Sequence, residues 1–284
     1  MGRPSESRPG RGWIGRAGRW GVSLLTTLTL WAYFTAGFVL LFGPFYLWAA
    51  TCAEDRVARF RRLNSQFYRG FFGLARRLMP GWRWRIDPRV RRLAGCLLVS
   101  NHLSYIDSIL LISLFGRHTT IAKARLFTIP IFGRMLRASG YLPSSAEGDL
   151  AGLMVERMET LPAELAAGAN LIVFPEGTRS RDGQIGAFHR SVFKIARRLG
   201  RPIQVLAVDG SDRLFRPGRF VFNALDRGTV SVDWIGAVAP PTAAGGREAV
   251  AAMMTETRRL LENRLQPGDK QTPKNGTPGQ RTHS

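Results

Sequence analysis

Residues 96–107 read Cys-Leu-Leu-Val-Ser-Asn-His-Leu-Ser-Tyr-Ile-Asp, and this stretch decides the fold. The run over 96–100 is short, apolar and followed by polar residues, the pattern of a strand covered on both faces. A second apolar run, 109–115, reads as a helix. The turn between them carries His102, with Asp107 five residues on. A histidine in such a turn can take a proton from a hydroxyl near neutral pH. A carboxylate beside it can hold the imidazole tautomer and stabilise the imidazolium that forms. Five residues is not a same-face helical spacing, so the pair works only if His102 precedes the helix.

Further along, 171–174 (Leu-Ile-Val-Phe) is another buried-strand run, followed at once by Pro175-Glu176-Gly177-Thr178-Arg179-Ser180-Arg181. Two apolar strands therefore each deliver polar residues at their C-terminal ends, the edge at which open α/β sheets bind ligands. Gly177 lets the backbone turn tightly, and Arg179 and Arg181 offer planar forks suited to a phosphate. Alternating or apolar strand patterns recur at 82–86, 119–122 and 229–238. Helical periodicity recurs at 131–138, 148–167, 190–199 and 248–265. Strands interleaved with helices predict an α/β fold, a mixed, mainly parallel sheet flanked by helices.

Ahead of that domain, residues 21–53 contain no charged side chain. The run exceeds the ~20 residues needed to cross a bilayer, so an N-terminal membrane-embedded helix is expected, either a single span or a re-entrant segment. Gly43-Pro44 is expected to kink or break it. Arginines crowd both flanks, so the positive-inside rule gives no clear orientation and only mildly favours both ends being cytoplasmic, with the domain that follows facing the cytoplasm from the cell inner membrane. Residues 1–20 read as a basic, mobile N-terminus. Residues 54–80 read as a basic amphipathic interfacial helix: Val57, Phe60, Leu63, Phe67, Phe71, Leu74 and Leu78 recur every three or four residues, with Arg62, Arg69 and Arg76 opposite. That stripe can lie on an anionic membrane or pack on the domain behind it. The globular domain is expected over 81–266 and a disordered tail over 267–284.

NHLSYID (101–107) followed by FPEGTRSR (174–181) resembles the glycerolipid acyltransferase family, the 1-acyl-sn-glycerol-3-phosphate acyltransferase-like enzymes. The likeness covers about 96–210. It includes Lys123-Ala124-Arg125-Leu126-Phe127 and Pro130-Ile131-Phe132-Gly133 as the family's intermediate segment and PIQVLAVDGS (202–211) as its fourth block. The resemblance implies a membrane-bound acyltransferase that moves a fatty acyl group from an acyl thioester to the sn-2 hydroxyl of 1-acylglycerol 3-phosphate, giving phosphatidic acid. Acyl-CoA or acyl carrier protein would bring the acyl group, as co-substrate, with no separate cofactor. His102 would be the base, Asp107 its orienting acid, and Glu176, Gly177, Thr178 and Arg179 part of the acceptor pocket. Arg179 would hold the phosphate, with Lys123 a second cation for the same anion. The chain departs from the family where Pro143-Ser144-Ser145 stands in place of an Arg, and His189 stands where a Lys is common. Another lyso-lipid acceptor, such as a lyso-ornithine lipid or lysophosphatidylethanolamine, therefore stays open.

The formal net charge of +21 demands an anionic partner or surface. A membrane-anchored anionic-ligand binder is the rival class. Nucleic acid is disfavoured because the arginines are spread along the chain and no recognition motif gathers them. The two cysteines, Cys52 and Cys96, have no metal-ligand or disulfide spacing, and neither H-E-x-x-H nor a G-x-S-x-G elbow occurs, so no metal and no acyl-serine are expected.

Overall fold

A computed structural model describes residues 11–180, 182–241 and 245–265. The expectations for residues 1–10, Arg181 and 267–284 lie outside the described residues. A long helix opens the chain as α1 (Arg11–Ala32), a π-helical stretch (Tyr33–Phe42) and α2 (Gly43–Cys52), and α3 (Arg56–Leu78) runs back along it. Asp55 caps α3, its Oδ1 accepting the Ala58 N–H at 2.9 Å. The sheet then alternates with helices: β1 (Trp82–Ile86), β2 (Leu97–Ser100), α4 (Ile106–Leu114), β3 (His118–Ala122), α5 (Phe132–Ala138) and β4 (Leu142–Pro143). The second half supplies α6 (Leu150–Ala166), β5 (Asn170–Val173), α7 (Arg190–Leu199), β6 (Ile203–Asp209), the short α8 (Ser211–Leu214), β7 (Gly228–Val238) and α9 (Gly246–Leu265).

The strand order is β1-β7-β6-β2-β5-β3-β4. Five strands from β6 to β4 run parallel, β7 is antiparallel to β6, and β1 runs with β7. This is the mixed, mainly parallel α/β sheet that the sequence predicts. Its central strands are covered on both sides, which is why they read as continuous apolar runs. Leu98 and Ile172 face a core shared with α3 and α4. Leu97, Val99, Leu171 and Val173 face a second core built with α6, α7 and α9.

Two details depart from the sequence reading, and a third falls on one of the two alternatives it left open. Residues 11–20, expected to be mobile, begin α1, and Arg19 there pairs with Asp226 at 3.1 Å. Gly43-Pro44 does not break the long N-terminal apolar helix, which passes through it. Proline lacks an N–H and its ring clashes with the carbonyl four residues back, and the wider π winding before it relieves both constraints. In α3 the apolar stripe packs on the domain: Phe60, Leu63, Phe67, Phe71 and Phe72 are all buried. Of the basic face, Arg69 donates to the Ser113 carbonyl at 2.7 Å, and Arg76 stacks over Trp84.

Candidate active site

Because β2 and β5 are parallel neighbours, the loops leaving their C-terminal ends meet. The β2 loop is pinned from the other flank by Asn101. Its side-chain amide donates to the Val208 carbonyl of β6 and accepts the Val208 N–H, each at 2.8 Å. Ser104 Oγ adds a 2.7 Å bond to the Phe215 carbonyl. Asp107, in the first turn of α4, reaches back so that Oδ2 accepts the N–H groups of Leu103 at 2.6 Å and Ser104 at 2.7 Å. The same oxygen lies 3.2 Å from His102 Nδ1. A carboxylate only accepts, so Nδ1 carries the proton and Nε2 keeps its lone pair. His102 thus sits before the helix, as the five-residue spacing requires. Its ring packs on Phe174, with centroids 4.3 Å apart. Its side chain is 15% exposed, against 0% for Asp107.

The β5 loop grips the His102 peptide on both sides. Glu176 Oε1 accepts the His102 N–H at 3.0 Å, and the Ser180 N–H donates to the His102 carbonyl at 2.8 Å. Glu176 Oε2 accepts the Gly186 N–H at 2.8 Å. Burial raises the Glu176 carboxyl above its ordinary pKa, opposed by those two backbone bonds and then by His102 and Arg258. The sequence reading places Glu176 in the acceptor pocket, whereas here both its oxygens face backbone. Gly177 has φ +62°, and a Cβ there would stand 2.7 Å from His189 Nε2, so only glycine fits without displacing that ring. Thr178 is exposed beside it.

Arg179 sits over Tyr105, its guanidinium carbon 3.2 Å from the ring centroid. Tyr105 is three residues from His102, and Arg179 is next to Ser180, so base and cation share one edge. Lys123 is exposed just past the end of β3, the strand beside β5, and so borders that edge too. Asn101, Tyr105 and Ser180 escape the sequence reading as contributors. The one signal for Tyr105 is an aromatic ring inside an otherwise polar turn.

Tyr105 also lines an apolar cavity of about 510 Å³. Its walls include Trp31 and Phe34 of the N-terminal helix, Phe71 of α3, Ile106 and Ile109 of α4, and Phe215, Arg219, Phe220 and Phe222 after α8. The assembly holds an imidazole with a free lone pair, a cation on an aromatic platform and a greasy chamber, all within one loop cluster. Such a set suits proton abstraction from an amphiphile that has an anionic head.

Residues 83–209 match a family model described as Acyltransferase. A chloroplastic 1-acyl-sn-glycerol-3-phosphate acyltransferase of Brassica napus is 32% identical over 123 residues, 43% of this chain and 35% of that protein. A lyso-ornithine lipid O-acyltransferase of Brucella abortus (strain 2308) is 30% identical over 138 residues, 48% of each chain. This chain therefore spans less than half the length of these relatives. The crystal structure of the 1-acyl-sn-glycerophosphate acyltransferase PlsC from Thermotoga maritima shares the fold with a TM-score of 0.65. It is 23% identical, covering 89% of this chain and 100% of that one.

Proposed function

We propose that the chain, whose residues 83–209 match the family model described as Acyltransferase, is a membrane-bound enzyme that transfers a fatty acyl group from an acyl thioester to the free hydroxyl of a lysophospholipid, with 1-acylglycerol 3-phosphate the acceptor the site fits best. The observation that carries this reading is the meeting of the two loops: His102 held by Asp107 on one side and by the Glu176–Ser180 loop on the other, with Arg179 stacked on Tyr105.

The proposed steps use that geometry. The acceptor hydroxyl gives its proton to His102 Nε2 as its oxygen attacks the thioester carbonyl. Asp107 holds the ring and offsets the positive charge that develops. The tetrahedral intermediate collapses, the C–S bond breaks, and the proton returns from the imidazolium to the thiolate. Arg179 holds the phosphate, which fixes which hydroxyl faces the base, and a hydrocarbon chain occupies the cavity beside Tyr105. Acyl-CoA and acyl carrier protein both meet the chemistry as donors.

For membrane attachment, the apolar helix supports lying along one leaflet over crossing it. One face of it touches the domain from Arg19, paired with Asp226, through Tyr33, which donates to the Phe67 carbonyl, to Trp48, under Arg59. At ~1.5 Å per residue these contacts span about 40 Å, more than the ~30 Å hydrocarbon core. The opposite face exposes Leu25, Leu40 and Leu47.

A second acceptor is favoured by one observation: in the Pro143-Ser144-Ser145 stretch that stands in place of the family's Arg, Ser144 is exposed and its hydroxyl accepts the Ala124 N–H at 3.1 Å. A lyso-lipid with a different head is then the rival, and one relative is named for lyso-ornithine lipid. Incubating purified protein with labelled acyl-CoA and a panel of lyso-lipids tests both. Product from 1-acylglycerol 3-phosphate alone or foremost supports the proposal. Product foremost from lyso-ornithine lipid transfers it to the rival, and no product from any acceptor, with labelled acyl-CoA or in a second arm with labelled acyl carrier protein, removes it.

A further inference from the structure

Beside the catalytic edge, the loop between α8 and β7 docks on the anchor helix. The Phe222 N–H donates to Thr27 Oγ1 at 2.9 Å, and Phe220 stacks on Trp31 with centroids 5.9 Å apart. Between loop and helix lies a cleft of about 470 Å³ that three arginines line: Arg19 from α1, and Arg216 and Arg219 from the loop. Among the described residues the cleft holds one carboxylate, Asp226, and Arg19 engages it at 3.1 Å. Arg216 and Arg219 are exposed and bring two positive charges that Asp226 does not offset.

Two further features say what the cleft faces. Arg219, Phe220 and Phe222 line both this cleft and the apolar cavity beside Tyr105, so a cationic and a greasy chamber share a wall. The rim also presents large apolar side chains outward: Trp20 is 62% exposed and Phe220 55%. Arginine next to outward-facing tryptophan and phenylalanine, at the head of a charge-free helix, is the composition of a surface that sits at lipid headgroup level.

We infer that Arg216 and Arg219, with Arg19 at their flank, form a binding site for the phosphate of an anionic phospholipid of the bilayer. The headgroup lies in the basic cleft, and its chains run along the exposed face of the anchor helix. The site orients the domain so that the shared wall, and with it the route into the apolar cavity, opens toward the membrane. It is separate from Arg179, which stands on Tyr105, and does not depend on the transferase reading, because lipid occupancy is read without turnover.

Native mass spectrometry of the full chain in non-ionic detergent, with equimolar phosphatidylglycerol and phosphatidylcholine added, tests it. The chain is expected to retain phosphatidylglycerol in preference. The double variant Arg216→Gln/Arg219→Gln should lose about tenfold or more of that occupancy, on the order expected for two basic residues at an anionic lipid surface. The matched control is Arg197→Gln/Arg198→Gln, an exposed pair on α7 lining a different cleft, which should leave it unchanged. Equal loss in both variants would reduce the effect to net charge and overturn the site, as would no loss in the first. Free coenzyme A, titrated in a second arm, should bind parent and variant alike. Coenzyme A binding lost in the variant, with lipid retention intact, would reassign the cleft to the donor's phosphates. An unchanged melting temperature in detergent certifies that each variant is folded.

Discussion

His102, Glu176 and Arg179 are expected to fail in three distinguishable ways. His102→Ala removes the imidazole that Asp107 orients. The turnover number should drop ~10²–10⁴-fold, the usual worth of a positioned base, with the acceptor KM little changed. Activity within a few-fold of the parent would rule His102 out as the base. Glu176 touches backbone, not an open pocket. Glu176→Gln keeps the shape but turns an NH₂ toward one of the two N–H donors, at His102 or Gly186, costing about 1–3 kcal/mol at a buried site. We predict a lower kcat and lower thermal stability, with the acceptor KM unmoved, because the loop that grips His102 loosens. A selective rise in acceptor KM would instead put Glu176 on the substrate. Arg179→Ala should do the reverse of Glu176→Gln: steady-state kinetics should give a raised KM for the phosphate-bearing acceptor, by tenfold or more for a charge-assisted contact worth ~1.5–3 kcal/mol. An unchanged KM removes it from the phosphate.

Between elements, a chain of buried hydrogen bonds ties the anchor to the sheet. Tyr46 of α2 donates to Asn64 Oδ1 of α3 at 2.6 Å, and Asn64 Nδ2 donates to the Tyr141 hydroxyl at 3.0 Å. Tyr141 meets His118 Nε2 at 2.6 Å, and His118 Nδ1 meets the Phe115 carbonyl at 2.9 Å. A carbonyl only accepts, so Nδ1–H donates to it; Tyr141, already accepting from Asn64, gives its own O–H to Nε2, an arrangement that satisfies every group when the imidazole is neutral. Burial accordingly pushes His118 down to about 3. A depressed histidine means the unfolded chain binds the extra proton, so stability is complete above the unfolded value of ~6.5 and declines as pH falls toward 3. At pH 5 the loss from this group is about 2 kcal/mol. Denaturant midpoints in detergent should fall accordingly between pH 7.5 and pH 5. His118→Gln should flatten that slope, and an unaltered slope would sink the argument.

For the molecule as a whole, charge and apolar surface divide the work. The anchor helix turns one face to the domain and leaves Leu25 67% and Leu40 72% exposed on the other. Leu25→Asp with Leu40→Asp touches nothing in the core, yet at hydrocarbon depth each carboxylate costs up to ~2.5–3.5 kcal/mol. Membrane fractionation should find the variant shifted to the soluble fraction, with far-UV circular dichroism unchanged. Retention in the membrane at parental levels would mean that this face does not meet lipid.

Periodicity and local spacing made much of this legible in the chain alone. The doubly covered runs at β2 and β5, the alternation at β1 and β7, and the polar residues waiting at two strand ends are local properties, set by side-chain size and period. They determined an α/β sheet with a histidine and an arginine at one edge. What needed tertiary structure was every contact between segments remote in sequence. Glu176 reads as a site carboxylate until the His102 N–H after β2 takes one of its oxygens and the Gly186 N–H before α7 takes the other. Tyr105 reads as a turn residue until Arg179 lies on it. The stripe of α3 has the same pattern whether it meets lipid or protein, and only the packing of the anchor helix decided where it goes. Periodicity tells which face is apolar, but not what covers it.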